Sequence, residues 1–520
     1  MLNIAANLQR TAHYNPTKLA VQFMDKSINY AQLNGAANQI ANGLRAKGIG
    51  KGDKVLLACP NLPYFPMVYY AVLKLGAVVV PINVLLKSAE IAYHLTDSDA
   101  KAFFCFEGMP DLPLGQEGWK AFQEAGTCAN FFMITADPTK PSAIEGAPTL
   151  GMLMHGQSPV CDYELTSESD TAVILYTSGT TGKPKGAELS HSNIAMNLTM
   201  VNQLCKVDIN DVHLITLPLF HSFGQVVQMN SAIQAGASMV LLPRFDPAAA
   251  FMCLQQFGVT IFAGVPTMYI AMLNLPGAEE KFNLQAISDK LRLGLSGGAA
   301  MPVEVMKAFE AKFNIMILEG YGLSETSPAA TFTDPNGERI AGSVGRAVPG
   351  CEVRLVDAEG KDVPVGENGE ILIRGNNVMK GYYKRPEATA EAIRNGWFYS
   401  GDIGKVDAAG NVYILDRVKD MIIRGGFNVY PRELEEVMMA HPAIAQVAVI
   451  GVPHESHGEE IKAYIMLKPG QTTTPEEVIE WSKERMASYK YPRLVEITPM
   501  LPMTATGKIL KRELRVQASA

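Results

Sequence analysis

Short β-rich apolar runs alternate with longer amphipathic segments through the first four hundred residues of the chain. KVLLACP (54–60), YFPMVYYAVLKLGA (64–77) and VVVPIN (78–83) read as strand, helix and strand. HLITLP, QMNSAIQAG and SMVLLP (213–243) repeat that order, as do TIFAGVP, TMYIAMLN and LRLGLSGG (260–298). Recurring units of this kind predict parallel sheets covered by helices, because the crossover between parallel strands needs a helix-length connection. From Gly342 the pattern shortens. GSVGRAVPGCEVRLVD and GENGEILIRG are brief strands between Gly, Pro and Asn turns, which predicts a small antiparallel barrel or sheet. After DRVKD (416–420) it changes again: MIIRGG, a helix opening within FNVYPRELEEVMMAH, then AIAQVAVIGVP and EIKAYIMLKPG. This last stretch reads as a compact α+β unit of about 100 residues. The expected class is α/β, with a large N-terminal domain of parallel βα sheets plus a β-barrel-like subdomain over 1–418. A small mobile α+β domain is expected over 419–520.

At 520 residues the chain exceeds one core, so more than one domain is expected. A net charge of −7 argues against a nucleic-acid surface, which needs a basic face. The seven cysteines are scattered without a CxxC pair, so neither a disulfide framework nor a zinc site is indicated. The N-terminus lacks the basic-then-apolar order of a secretory signal. The longest apolar stretch, 69–86, is broken by Lys74, Pro81 and Asn83 and reads as a buried helix running into a strand, not a membrane span. A cytoplasmic protein is expected.

Candidate chemistry begins with YTSGTTGKPKG (176–186). From Thr177 to Gly186 it holds four hydroxyls, three glycines and two lysines after an apolar run. Successive backbone N–H groups in such a turn can converge on one anion, with hydroxyls and lysines adding donors and charge. The spacing is not that of a Walker A loop, since two residues separate Gly179 from Gly182 and Pro184 follows Lys183. Taken alone, the stretch reads equally as a mobile polar surface loop.

Further stretches change that balance: SGGAAMP (296–302), PLFHSFG (218–224), EGYGLSETSP (319–328), YSGD (399–402), DRVKDMIIRGGFNVYPRELE (416–435) and PMTATGKILKREL (502–514). With the glycine-rich loop they resemble, over essentially the whole chain, the motifs of the adenylate-forming superfamily of acyl-CoA synthetases, luciferases and peptide-synthetase adenylation domains. The resemblance implies that a carboxylate attacks ATP to give acyl-AMP and pyrophosphate, and that a thiol, coenzyme A, then displaces AMP. Both partners of the first step are anions, so the site must cancel their repulsion and align the attack.

Residue by residue, the resemblance implies that Thr177, Ser178, Gly179, Thr180, Thr181, Gly182 and Lys185 hold the β and γ phosphates, with weak order expected there when no nucleotide is bound. Glu325 would bind Mg²⁺, and Ser324 would direct a hydroxyl at the α-phosphate. Tyr321 would stack on adenine beside Gly297, Gly298 and Ala299, with Glu319, Gly320 and Gly322 completing the nucleotide site. Asp402 would accept the ribose hydroxyls, supported by Arg417. Lys508 would bring its charge to the α-phosphate during adenylation. Lys419 would be the hinge about which the small domain turns, and Gly425, Gly426 and Phe427 would line the pantetheine tunnel. Each residue has a plainer reading in isolation: packing for Tyr321, a turn for Asp402, a solvated terminal charge for Lys508. His454 and His457 read as solvated side chains of a polar loop.

For the acid, the resemblance points to His221, Phe223, Val227, Val265, Met268, Gly297 and Ala329, although His221 reads equally as a core histidine. No Arg or Lys among these stretches pairs with a second carboxylate. Ile423, where coumarate ligases and luciferases usually carry Lys, leans toward bacterial fatty-acyl-CoA ligases. The expected reaction is therefore ATP-dependent ligation of a medium- or long-chain fatty acid to coenzyme A. An aryl-acid ligase and a stand-alone enzyme loading a carrier protein are the enzyme alternatives. A nucleotide-sensing module is the non-catalytic one, against which Lys508, Glu325 and Asp402 count. The family contains monomers and homodimers, and the sequence does not choose.

Overall fold

The structure is a computed structural model that describes residues 2–177 and 183–519. Ser178 to Gly182, and with them the expected weak order of the glycine-rich loop, lie outside the described residues.

The predicted βα alternation forms two sheets. One runs in the order Gly381–Tyr382, Lys185–Ser190, Thr171–Thr177, Val78–Pro81, Lys54–Ala58, Ala100–Phe106, Asn130–Ile134. Its last five strands are parallel, and Thr171–Thr177 turns back antiparallel into Lys185–Ser190. The other carries Ile317–Gly322, Leu293–Ser296, Ile261–Gly264, Val212–Ile215 and Ser238–Leu241 in parallel, with antiparallel pairs at both edges. The 69–86 stretch is the buried helix Tyr64–Lys74 running into the strand Val78–Pro81, as its interrupted hydropathy predicts.

The segment read as a helix over 228–236 differs from a plain α-helix. Phe223–Asn230 is a π-helix that tightens into an α-turn at Ser231–Ala235. Its buried polar side chains are held from neighbouring elements: Gln228 donates to Leu214 O (2.8 Å), Asn230 accepts from the Tyr70 hydroxyl (2.6 Å) and Gln225 from that of Tyr69 (3.4 Å). Such wide turns occur often beside functional sites, and this one starts within PLFHSFG.

Cys351–Val356, Gly369–Gly375, Trp397–Val406 and Val412–Arg417 build the antiparallel sheet expected after Gly342. From Ile422 the chain forms a further sheet in which Ile444–His454 and Gly458–Leu467 are the long central pair. AIAQVAVIGV is apolar without alternation because both faces of that sheet are covered. Val447 and Val449 pack with Leu434, Met438 and Val478, while Ala448, Ile450 and Val452 pack with Leu501 and Leu514. This C-terminal α+β domain therefore has its own core. The cysteines are free, five of them buried. No helix among the described residues is long and apolar enough to cross a membrane.

The hairpin Ile317–Gly322 to Ala329–Phe332 shows why one motif position is glycine. A methyl group on Gly322 would lie 1.7 Å from the Pro328 carbonyl oxygen, so no rotamer relieves the clash. Gly322→Ala is expected to cost about 1–3 kcal/mol, measured as a lowered chemical-unfolding midpoint. An unchanged midpoint would contradict this packing.

Candidate active site

The residues singled out in the sequence gather where parallel strands end. Thr177 closes Thr171–Thr177, Val265 and Met268 follow Ile261–Gly264, Gly297 to Ala299 follow Leu293–Ser296, and Ser324 and Glu325 follow Ile317–Gly322. His221 comes in the connection after Val212–Ile215. Carboxyl ends of neighbouring parallel strands form a crevice, the usual ligand position in α/β folds.

Thr177 pairs across the hairpin with Lys185, so the glycine-rich segment joins two antiparallel strands and does not open a helix. The base of this hairpin is held from outside. Tyr176 donates its hydroxyl to Asp97 Oδ2 (2.8 Å), and Arg385 pairs with the other oxygen of that carboxylate. Tyr93 donates to the Pro184 carbonyl (2.8 Å), and the Lys183 ammonium lies 5.2 Å from the Tyr93 ring centre. None of Tyr93, Asp97 and Arg385 falls in a motif, because they act from the flank of the hairpin.

Glu325 is buried in the single turn Ser324–Thr326 and accepts the Tyr382 hydroxyl at Oε1 (3.0 Å). Ser324 is half-buried at the start of the same turn. No cluster of three metal-ligating side chains exists among the described residues. One carboxylate completed by phosphate oxygens and water is, however, the donor set Mg²⁺ accepts, so Glu325 fits that ion.

Cross-strand pairing sets Asp402 opposite Arg417. The Arg417 Nε lies 3.0 Å from Asp402 Oδ1, and the Tyr321 hydroxyl donates to Oδ2 (2.8 Å). Burial raises the Asp402 carboxyl above the ordinary range, against the pull of Arg417. Burial likewise pushes Glu319 up to about 7; its Oε1 accepts the Met301 N–H (3.3 Å), and Arg432 of the C-terminal domain is its nearest opposing charge.

The C-terminal domain reaches this crevice through the turn carrying Lys508. The Thr504 N–H donates to the Lys508 carbonyl (2.7 Å) and the Lys508 N–H to Thr504 Oγ1 (3.0 Å). Thr267 donates to the Gly507 carbonyl (2.8 Å), tying the turn to the N-terminal domain. Gly298, with φ +79°, leaves room for the lysine: a side chain there would start 3.3 Å from Lys508 Cε. Burial first, and then the Arg417 guanidinium, push the Lys508 ammonium down to about 8, while Asp402 and Glu325 oppose the shift. Gly320 lies in the strand beneath and its carbonyl faces Gly297.

On the other side of Gly297 lies an apolar cluster. Val227, Val265 and Met268 are buried in one cluster, with Phe223 and Ala329 packed against it. The Phe223 ring approaches to 3.1 Å of where a Gly297 side chain would begin. His221 Nδ1 accepts the Phe223 N–H (3.3 Å), which leaves the proton of the neutral ring on Nε2. Burial, assisted by Lys508, pushes His221 down to about 3, so it is neutral at physiological pH.

Other positions lie outside this cluster. Gly425, Gly426 and Phe427 occupy an exposed hairpin of the C-terminal domain, where Phe427 stacks on Tyr489 (4.7 Å). Lys419 is exposed in the turn between Val412–Arg417 and Ile422–Arg424. Ile423 is 52% exposed on the same hairpin. His454 and His457 are exposed and stack on each other.

Known proteins match this arrangement over its full length. The family model for AMP-binding enzymes covers residues 8–383, and that for the AMP-binding enzyme C-terminal domain covers 433–508. A long-chain-fatty-acid–CoA ligase of Bacillus subtilis (strain 168) is 34% identical, covering 96% of this chain and 91% of its own. A feruloyl-CoA synthase of Amycolatopsis sp is 35% identical, covering 97% of each. ATP-bound MatB from Rhodopseudomonas palustris superposes with a TM-score of 0.89 at 33% identity, over 99% of both chains; apo MatB gives 0.79. An anthranilate CoA ligase in complex with anthranoyl-AMP gives 0.90 at 30% identity, over 99% of this chain and 97% of that one.

The ammonium of Lys508 supplies a direct check on this geometry. Undocked, it should have the ordinary lysine value of 10.5; docked, about 8. Without nucleotide, docking therefore releases a proton and strengthens as pH rises from about 8 towards 10.5. With lysines labelled by ¹³C-methylation, the Lys508 resonance is expected to titrate near 8 and to move upward in Arg417→Ala. Titration near the ordinary value in the unmodified chain would mean that the lysine is not held in the crevice.

Proposed function

Because the chain belongs to the AMP-binding, adenylate-forming enzymes and is a carboxylate–CoA ligase of that family, we propose that it activates a flat, apolar monocarboxylic acid of the aryl class. The proposed sequence is acyl-AMP formation with release of pyrophosphate, followed by transfer of the acyl group to coenzyme A. The observation that carries the choice of acid is the uncharged cluster beside Gly297, in which Val227, Val265 and Met268 are buried, Ala329 packs against them and the aromatic ring of Phe223 lies directly on the glycine. With His221 neutral, these residues bring no charge to pair with a second carboxylate. The feruloyl and anthranilate relatives support the same class. The medium- or long-chain fatty acid expected from sequence is the second reading, favoured by the Bacillus subtilis ligase.

In this reading the hairpin Thr177–Lys185 holds the β and γ phosphates, and Ser324 faces the α-phosphate. Tyr321, Gly297, Gly298 and Ala299 take the base, and Asp402 with Arg417 takes the ribose. The Glu325 carboxylate would hold Mg²⁺, whose charge neutralises phosphate oxygens. Lys508 stabilises the charge that develops on the α-phosphate as pyrophosphate departs, an electrostatic contribution that is large in a site shielded from water. His221 Nε2–H is a neutral donor for the substrate carboxylate. The lysine must then withdraw for the thiol to enter. A division at 418/419, with Lys419 as pivot, would swing the hairpin Gly425–Phe427 toward the acyl-adenylate.

Lys508→Ala is expected to lower acid-dependent pyrophosphate exchange by about 10²–10³, while thioester formation from pre-made acyl-AMP falls far less. Equal loss of both half-reactions would refute the division of roles. Lys419→Pro should spare adenylation and impair thioester formation; parallel loss would argue against domain alternation. In a panel with ATP and coenzyme A, benzoate- and coumarate-type acids should give higher kcat/KM than saturated fatty acids. The opposite order would overturn the choice of acid and favour the second reading.

A further inference from the structure

Two groups assigned to different parts of the nucleotide meet at one tyrosine that belongs to neither motif. Tyr382 sits on the two-residue strand Gly381–Tyr382, antiparallel to Lys185–Ser190, with Tyr382 opposite Ala187. Its backbone is pinned on both sides: the Tyr382 N–H donates to Thr389 Oγ1 (2.8 Å) and the Tyr383 N–H to the Gly186 carbonyl (2.8 Å). The hydroxyl donates to Glu325 Oε1 (3.0 Å). The ring centre lies 5.1 Å from the Lys185 ammonium. The same segment also holds the Glu325 main chain, since the Met379 N–H donates to its carbonyl (2.8 Å).

A lone carboxylate ligand on a short turn has two soft torsions that decide where its oxygens point. A hydrogen bond from a rigid neighbour removes that freedom, and such outer partners of ligating groups strongly affect metal affinity. The face of an aromatic ring at the same time attracts an ammonium and limits where its long side chain can go. One side chain, fixed to the strand that ends the phosphate hairpin, makes both contacts.

We propose that Tyr382 is a positioning residue that orients the Glu325 carboxylate for the divalent cation accompanying ATP and seats Lys185 beside it. The proposal rests on the reading of Glu325 as the metal-binding carboxylate.

The test uses the full-length protein. Mg²⁺ is titrated calorimetrically into protein saturated with a non-hydrolysable ATP analogue, and the analogue is titrated separately in the presence of EDTA. Tyr382→Phe, which keeps the ring and loses the hydroxyl, should weaken Mg²⁺ binding about ten-fold or more, with metal-free analogue affinity and melting temperature unchanged. Tyr382→Leu should in addition weaken the analogue without metal, through loss of the Lys185 contact; if it does not fold, Tyr382→Phe alone decides. Glu325→Gln separates the two levels of the argument. If Glu325→Gln abolishes Mg²⁺ binding while Tyr382→Phe binds as the unmodified protein does, the role of Tyr382 is refuted and that of Glu325 stands. If Glu325→Gln binds Mg²⁺ normally, the metal reading falls and the proposal with it. A Tyr382→Phe protein that loses Mg²⁺ affinity only together with melting temperature and metal-free affinity would mark a merely structural tyrosine.

Discussion

The arrangement depends on holding one ammonium group, that of Lys508, in a crevice that belongs to another domain. Withdrawing a cation from water is costly unless opposite charge or hydrogen bonds replace its hydration. Here Asp402 and Glu325 supply that charge, while Arg417, paired to the same Asp402, works against it. The balance leaves the lysine with a depressed pKa, a sign that its ammonium is incompletely compensated. Several negative charges of a nucleoside triphosphate in the same crevice would tip that balance. Incomplete compensation of this kind would make docking of the Lys508 turn responsive to an anionic ligand.

Around this group the two large sheets provide rigidity and the strand ends provide position. Short connections leave Val265, Gly297 and Glu325 at successive strand ends, so the residues proposed for the acid, the base and the metal ion lie on neighbouring strands. The second sheet system contributes the phosphate hairpin, and the antiparallel sheet contributes the Asp402–Arg417 pair. Contacts such as Thr267 with Gly507, and Val303 N–H with Glu436 Oε1 (3.2 Å), are few polar links, compatible with an interface that forms and breaks. The closer likeness to ATP-bound than to apo MatB agrees with a docked arrangement of the two domains.

Much of this was legible along the chain. The period of the apolar runs gave the βα units, and the unbroken run AIAQVAVIGV marked a strand covered on both faces. Many of the motif residues meet in the crevice, and several of them, such as Val265, Gly297 and Glu325, lie within a few residues of a strand end, where local turn chemistry sets their position. Less legible were Tyr382, Tyr93, Asp97 and Arg385. Tyr382 reaches Glu325 from 57 residues away, and Arg385 reaches Asp97 across 288; no local pattern encodes such a contact. The π-helix at Phe223–Asn230 was equally hidden, since its register follows from buried tyrosines on another helix. Ile423, singled out for the residue that relatives carry there, sits on an exposed hairpin of the C-terminal domain.

The amino-acid sequence by itself determined the alternation of strands and helices, the turns at which glycine is needed and the inventory of groups for handling phosphate. These are properties of neighbouring residues, settled by backbone sterics and by the side-chain period of each element. Only the tertiary structure decided that Lys508 meets Asp402 and Arg417, that His221 is neutral, and that Phe223 closes on Gly297. Those depend on burial and on charges brought together from distant segments, and neither exists until the sheets have packed and the C-terminal domain has docked.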